Sequence, residues 1–293
     1  MRGLLTQIER HAREEAIGRK PRVAIGTTNT ESVRFRQSLE IAGETADITL
    51  VGGEIEGYDS ADVPSGNATA AITRLFSLAK EQKVDAIVRG QIDYITFHKQ
   101  FRSAFPELDR DVMCICLLRS DKHEWFMAPV VHHDETGVEG RCYLARQAAR
   151  ICRQLGLAPT IGILAADDPE GYGEQISRAL PIAQTILADY KSAKTIVEIL
   201  RSEHLDATVF PLRIDEAVSR CNVVVPMDGI IGNFLHRALG YIGGVEMGGC
   251  ISLTRRVVSI ETSRFNDAFE TAILMAAALV NLGGPNVAEF PEH

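Results

Sequence analysis

Short β-branched runs punctuate this chain at RVAIG, DITLVG, DAIVRG, VMCICLL, TIGILA, ATVFP and CNVVVP. They alternate little between apolar and polar residues, and a strand without alternation is one covered on both faces. Between most of them lie segments with helical spacing, among them ESVRFRQSLEIAG, NATAAITRLFSLAKEQK and VEGRCYLARQAARICRQLG. Strands of this kind, joined through helices, build βαβ units with right-handed crossovers. The chain is therefore expected to be an α/β protein with mostly parallel sheets.

Length and interruptions divide that pattern. At 293 residues the chain is long for one layered core, and two lobes are expected. VMCICLL, the polar RSDKH and EWFMAPV read as two extended segments around a tight turn, an antiparallel hairpin that a purely doubly wound sheet does not need. The polar VHHDETG follows, and the strand and helix rhythm restarts at TIGILA, which places a lobe boundary near Gly137. The apolar helix in FNDAFETAILMAAALVNLGG is expected to end at Gly283 and Gly284 through a glycine C-cap.

Charge excludes some partners. Lys and Arg number 31 against 39 Asp and Glu, a net charge of -8, so no global field favours nucleic acid or an anionic membrane surface. No apolar run approaches the roughly 18 residues of a membrane span. The opening MRGLLTQIERHAREEAIG is amphipathic and lacks a secretory apolar core, so the expected location is cytoplasmic. Cysteines 114, 116, 142, 152, 221 and 250 lack the CxxC spacing of a zinc knuckle. Cys114 and Cys116 share one face of a strand and read as buried small residues.

Three stretches carry groups suited to a small anionic or carbonyl-bearing ligand. In CNVVVPMDGIIGNFLHRALGYIGG, residues 221–244, a strand ends and a helix begins. Gly229 and Gly232 permit close backbone approach, Asn233 reads as the N-cap, and Asp228 and Arg237 line the turn. A well-capped turn explains the same residues. In IVRGQIDYITFHKQFRSAF, residues 87–105, Arg89 and Gly90 end a strand and Thr96 and His98 follow; Arg89 suits a negative substrate group or an ion pair with Asp93. In ISLTRRVVSIETSRF, residues 251–265, Thr254, Arg255, Arg256, Glu261, Thr262, Ser263 and Arg264 combine guanidinium forks with a candidate base. A solvated, salt-bridged edge has the same composition.

Other motifs carry less. GTTNTES lacks both GxGxxG and the Walker lysine, and DDPEGYGEQ is acidic where a phosphate cradle should be neutral or basic, so NAD is not expected. The adjacent histidines of HHDETG, residues 132–137, project in different directions without a third ligand at metal spacing, so no metal is expected either.

PLRIDEAVS followed by CNVVVPMDGIIGNFLHRALGYIGG resembles the C-terminal lobe of phosphate acetyl- and butyryltransferases. The chain is more closely similar to the MtxX family, or methanogenesis marker protein 4, labelled a methyltransferase subunit. DAIVRG, the hairpin with WFMAPV, PMDGIIGNFLHRAL and SIETSR carry that likeness from about residue 84 to 264. The wider family implies a two-lobed isocitrate/isopropylmalate-dehydrogenase-like fold with an interlobe cleft, commonly as a homodimer. Here it implies residues 1–137 plus 251–293 as one lobe and 138–250 as the other, with Asp228 to Asn233 as one lip of the cleft.

The resemblance also implies roles. Against the acetyltransferase LSRG, LTRR places Thr254 and Arg255 at the Ser-Arg positions and Glu261 at a catalytic carboxylate; against the butyryltransferase LTSRAD, Arg256 takes the arginine position and Val258 the aspartate. Both registers stay open. Arg89 with Arg255 or Arg256 would clamp an anion, Asn233 and its helix N-terminus would bind an oxygen, and Glu261 would act as base, all converging in the cleft. A coenzyme A-like thiol would be the acceptor. The family's STKGS segment is replaced by AADDPEG, where Asp167, Asp168 and Glu170 oppose an acyl phosphate. Acyl transfer in archaeal methanogenic metabolism therefore stands beside two alternatives: methyl transfer with a pterin or corrinoid on a methyl-carrier protein, and a non-catalytic metabolite sensor or assembly factor.

Overall fold

The computed structural model describes residues 3–63, 67–105, 113–131, 137–169, 181–263 and 268–285. Its chain divides into two compact units, Met1–Val112 with Met247–Val287, and Met113–Glu246. Along the first run lie α1 (Leu4–Ala12), β1 (Arg22–Gly26), α2 (Val33–Gly43), β2 (Asp47–Val51), β3 (Asp59–Ala61), α3 (Ala68–Lys80), β4 (Ala86–Val88) and α4 (Tyr94–Ala104). The second unit holds β5 (Cys114–Arg119), β6 (Glu124–Met127), α5 (Gly137–Gln154), β7 (Thr160–Ala165), α6 (Pro181–Ser202), β8 (Asp206–Pro211), α7 (Ile214–Arg220), β9 (Val223–Val225) and α8 (Gly229–Tyr241). The chain then forms β10 (Glu246–Ser252), β11 (Val258–Glu261) and α9 (Glu270–Asn281).

In the first unit the strands run in the order β3-β2-β1-β4-β11-β10. The first five are mutually parallel, and β10 is antiparallel to β11. β4 is buried throughout, as its unalternating AIV requires. α9 is buried nearly all round because it lies on β4 and β11 and is covered in turn by α1 and α2. α1 gives Leu4, Ile8 and Ala12 to that contact, one helical stripe at i, i+4 and i+8. α9 stops where the sequence placed its end: Gly283 and Gly284 both have positive φ, and Gly284 N donates to Leu279 O at 2.7 Å. On the other face, Phe76 of α3 packs against Phe97, Phe101 and Phe105 with ring centroids 5.1 to 5.9 Å apart.

The second unit has the order β5-β6-β9-β7-β8. The expected hairpin is present, with Cys116 opposite Met127 and Leu118 opposite Trp125. The remaining pairs are parallel, beginning with β6 on β9. Cys114, Cys142, Cys152 and Cys221 are buried free thiols. Burial pushes Cys142 and Cys221 up to about 11 and Cys152 up to about 12, so none of these three supplies a thiolate near neutral pH. Among the described residues no helix is long and apolar enough to cross a membrane.

One carboxylate fastens the amino edge of the first sheet. Asp85 accepts from Arg19 Nη1 and Nη2 at 2.6 and 2.8 Å, and from Arg22 N at 2.8 Å. Its own N–H donates to Arg22 O at 2.8 Å, so β1 and β4 are locked in register. Burial opposes its charge, but the hydrogen bonds from Arg19 and Arg22 outweigh burial and hold the carboxyl well below the usual carboxylate range. That stabilisation is present above the unfolded pKa of about 3.9 and is lost as pH falls through the depressed value. Asp85→Asn is expected to cost about 1–2 kcal/mol at pH 7, after discounting the half-exposed arginines for solvent screening. Urea denaturation of the two proteins measures the difference.

Candidate functional site

The carboxyl edge of the first sheet is where an open α/β sheet offers turns and helix N-termini to a ligand. β1 and β4 leave the sheet there side by side. Gly90 follows β4 with φ +62°, and a Cβ on it would lie 1.8 Å from Gly26 O. Only glycine combines that conformation with that approach. Gln91 N donates to Gly26 O at 3.1 Å, and Arg89 N donates to Ile260 O at 2.9 Å. Thr262 Oγ1 donates to Gly90 O at 2.6 Å. The exits of β1, β4 and β11 thus form one laced surface.

The side chains of this surface answer the sequence reading in part. Arg89 is buried at 4% exposure; its guanidinium donates to Ile92 O and lies 5.8 Å from the centre of the Tyr94 ring. Asp93 caps α4, accepting from Thr96 N at 2.9 Å and Thr96 Oγ1 at 3.0 Å. Thr96 is therefore turned into the cap of its own helix. Arg89 is a cation beneath the loop rather than an extended fork above it.

Glu261, at the end of β11, is 4% exposed. Both of its oxygens lie 3.0 Å from His98 Nε2, and Ser252 Oγ is 3.4 Å from Oε1. The His98 ring lies 4.3 Å from the centre of the Tyr94 ring. A buried carboxylate bonded to an imidazole is a group that can take up or release a proton. The sequence reading named Glu261 as a candidate base and His98 only as a residue following Arg89, without pairing them. The pairing joins residues 163 apart, and only the parallel pairing of β11 with β4 brings them together.

Arg255 and Arg256, expected in the clamp, stand on the turn before β11. β11 runs parallel to β4, with Val258 opposite Ala86 and Ile260 opposite Val88. Glu261 is thus level with Arg89 at the carboxyl edge. The turn before Val258 lies at the other, amino edge, and both arginines are exposed there. Thr254 is buried in the same turn, and its Oγ1 accepts from Arg256 N at 3.2 Å. Strand direction thus places LTRR at the opposite edge from Glu261. Thr254, Arg255 and Arg256 belong to the β10–β11 turn.

In the second unit the turn after β9 also differs from expectation. Asp228, not Asn233, is the N-cap: Asp228 Oδ1 accepts from Ile231 N at 2.7 Å, and α8 starts at Gly229. Asn233 lies a turn inside the helix, where its Nδ2 donates to Val130 O at 2.9 Å and its Oδ1 accepts from Arg237 Nε at 2.9 Å. It is not at the helix terminus and cannot supply the dipole assigned to it. Gly232 does allow close approach, since a Cβ there would lie 1.9 Å from Pro129 O. Arg237 is exposed. Of the acidic stretch, Asp167 Oδ1 accepts from Asp168 N at 2.8 Å. Glu170, Arg264 and residues 132–136, with the weighed metal reading, lie outside the described residues.

His236 of α8 was missed, because nothing local marks a histidine as buried. Its Nε2 is buried and has no hydrogen-bond partner among the described residues. Burial, with the nearby Arg237 charge, lowers its pKa to about 4.

No family model matches the chain. A relative in Methanosarcina mazei described as "Putative methyltransferase mtx subunit X" is 26% identical, covering 96% of this chain and 97% of its own. One of the same description in Methanosarcina barkeri is 26% identical over 242 residues, 83% of each chain. The likeness read from the motifs is thus present over most of the sequence. Among solved structures, an EutD phosphotransacetylase from Staphylococcus aureus superposes with TM-score 0.61 at 12% identity, covering 94% of this chain and 99% of its own. A branched-chain phosphotransacylase from Enterococcus faecalis V583 gives 0.61 at 17% identity, covering 89% and 99%. The chain is MtxX-like in sequence and phosphotransacylase-like in fold.

Two outcomes test this geometry. His98→Ala removes the imidazole from a buried carboxylate and is expected to cost about 3 kcal/mol, with part recovered in the double variant with Glu261→Leu; denaturation of both variants measures it. His236 binds its proton more weakly folded than unfolded. Stability is therefore expected to be full above pH about 6.5 and to fall on the order of 3 kcal/mol as pH drops toward 4. The slope should flatten in His236→Leu.

Proposed function

We propose that this chain is a transferase-type protein that binds a small anionic or carbonyl-bearing metabolite at the carboxyl edge of its first sheet. The buried His98–Glu261 pair supports the reading most. A carboxylate at 4% exposure is expensive to keep in a protein, and an apolar pair of similar volume would stabilise the fold at least as well. Its place beside Arg89, Gly90 and Thr262 is where ligands bind in sheets of this kind. The pair would accept one proton, shared between imidazole and carboxylate. Arg89 would supply positive charge from beneath, and the backbone N–H groups of Thr28 and Asn29, which bond the Gln91 side chain, would hold oxygen.

If the transferred group is an acyl group, a thiol such as coenzyme A loses its proton to the pair as sulfur bonds to the acyl carbon, and phosphate leaves with the electrons of the broken bond. The gain would come from positioning and from stabilising the developing oxyanion. The fuller form of this proposal keeps the interlobe cleft, homodimer and methanogenic setting that the resemblance implies, with Asp228, Gly232 and Arg237 contributing from the second unit. The purified protein is to be incubated with acetyl, propionyl and butyryl phosphates plus coenzyme A, and acyl-coenzyme A measured. Turnover that falls at least about 100-fold in Glu261→Gln is the expected result; inactivity with all three removes acyl transfer.

The description of the relatives as a methyltransferase subunit favours a second reading, methyl transfer to a thiol from a pterin or corrinoid on a partner. Leaving this chain out of a reconstituted mixture should then abolish thiol methylation. An unchanged rate ends that reading.

A further inference from the structure

The loop Thr27–Asn29 after β1 turns three donors toward one atom. The Gln91 carbonyl oxygen accepts from Thr27 Oγ1 at 3.1 Å, from Thr28 N at 2.9 Å and from Asn29 N at 2.7 Å. Two of these are backbone N–H groups, which bond only an acceptor, so the oxygen end of the carboxamide faces the loop. The Gln91 Nε2 donates in turn to Asn29 O at 3.4 Å. Successive N–H groups aimed at one point make a concave anion site. Here a neutral amide oxygen fills it, although a phosphate or carboxylate oxygen in its place would form bonds about twice as strong.

Position gives a second, independent reason. β1 lies between β2 and β4; the chain leaves β1 toward β2 on one side and returns through α3 to β4 on the other. The carboxyl ends of β1 and β4 are therefore the point where strand order reverses, which is where open α/β sheets bind ligands. Thr27 is buried while Thr28 and Asn29 are exposed, so one donor is fixed inside the protein and the other two belong to residues that reach solvent. The buried guanidinium of Arg89 sits in the same short loop as Gln91. The carboxylate of Asp93, two residues beyond, is engaged by Thr96.

We infer that the Thr27–Asn29 loop is a cradle for a phosphate or carboxylate group, and that Gln91 is an internal occupant which the ligand displaces. This rests on the proposed function and names where the metabolite's anionic group binds. Displacing Gln91 costs part of the ligand's affinity, so the side chain sets a threshold for binding and frees its loop when an anion arrives.

The test uses the full chain with inorganic phosphate and, separately, acetate, followed by backbone amide resonances and by melting temperature. The cradle is expected to show as movement of the Thr28 and Asn29 amides. Gln91→Ala should bind the effective probe about tenfold tighter. Gln91→Glu, which brings its own carboxylate oxygen, should melt above the native protein and lose the response. A response to phosphate alone or acetate alone supports the cradle and fixes its class. If a probe moves Gly90 and Thr262 while Thr28 and Asn29 stay still, the cradle is overturned and the proposed function stands. A Gln91→Ala protein that binds no tighter, or a Gln91→Glu protein that melts lower, also overturns it and makes Gln91 a tie between loops. Silence of every resonance with both probes overturns both readings.

Discussion

The passage of Gly90 against the backbone of Gly26 fixes the geometry on which the candidate site depends. A side chain at position 90 would place its first carbon 1.8 Å from Gly26 O, inside any tolerable contact. Because glycine stands there, Gln91 can bond Gly26 O and the loop can fold Arg89 beneath itself. Asp93 then arrives in place to cap α4 through Thr96. A helix started at that residue sets His98 just over one turn further on, over the carboxylate of Glu261. One close backbone contact therefore determines where a histidine side chain lands.

The polar groups gathered there are held at some cost. Glu261 and Thr262 are both nearly buried, and each is satisfied through a segment distant in sequence, His98 for the first and Gly90 O for the second. Unpaired, such groups would each cost about 1–3 kcal/mol or more. Cohesion in this unit is supplied by apolar packing such as that of its four phenylalanines. That contrast separates the carboxyl edge from the amino edge. There the ion pairs of Asp85 with Arg19 and Arg22 are half exposed and are explained by register alone.

The sequence was legible where physics is local. Unalternating β-branched runs gave the buried strands, the RSDKH turn gave the hairpin, and Gly283 and Gly284 gave the end of the last helix. β3 escaped because Asp59–Ala61 is mostly exposed and carries no apolar run; β10 escaped because EMGGCIS holds two glycines. The cap of α8 was misplaced because MDGIIGN offers two side chains that cap well, and the bond from Ile231 N to Asp228 Oδ1 shows that the helix has already begun at Gly229. Arg255 and Arg256 were chosen by composition, whereas the direction of β11, set by pairing with β4, decides which edge they occupy. The His98–Glu261 pair is invisible for the same reason: no local pattern reports a contact made by strand order.

A shared fold carries the path of the chain, but chemistry depends on which side chains reach its edge. In this chain the two arginines of the LTRR turn stand on the turn before β11, at the amino edge of their sheet, whereas Arg89 and Glu261 lie at the carboxyl edge. The charge that a ligand there would meet is the buried Arg89 and, once Gln91 gives way, the N–H groups of Thr28 and Asn29. Fixed dipoles of that kind are already oriented before a ligand arrives and need no reorganisation as charge develops. They also discriminate by shape, because an oxygen must reach the point where several N–H vectors meet. A site built this way would favour a small, compact anion over an extended polyphosphate.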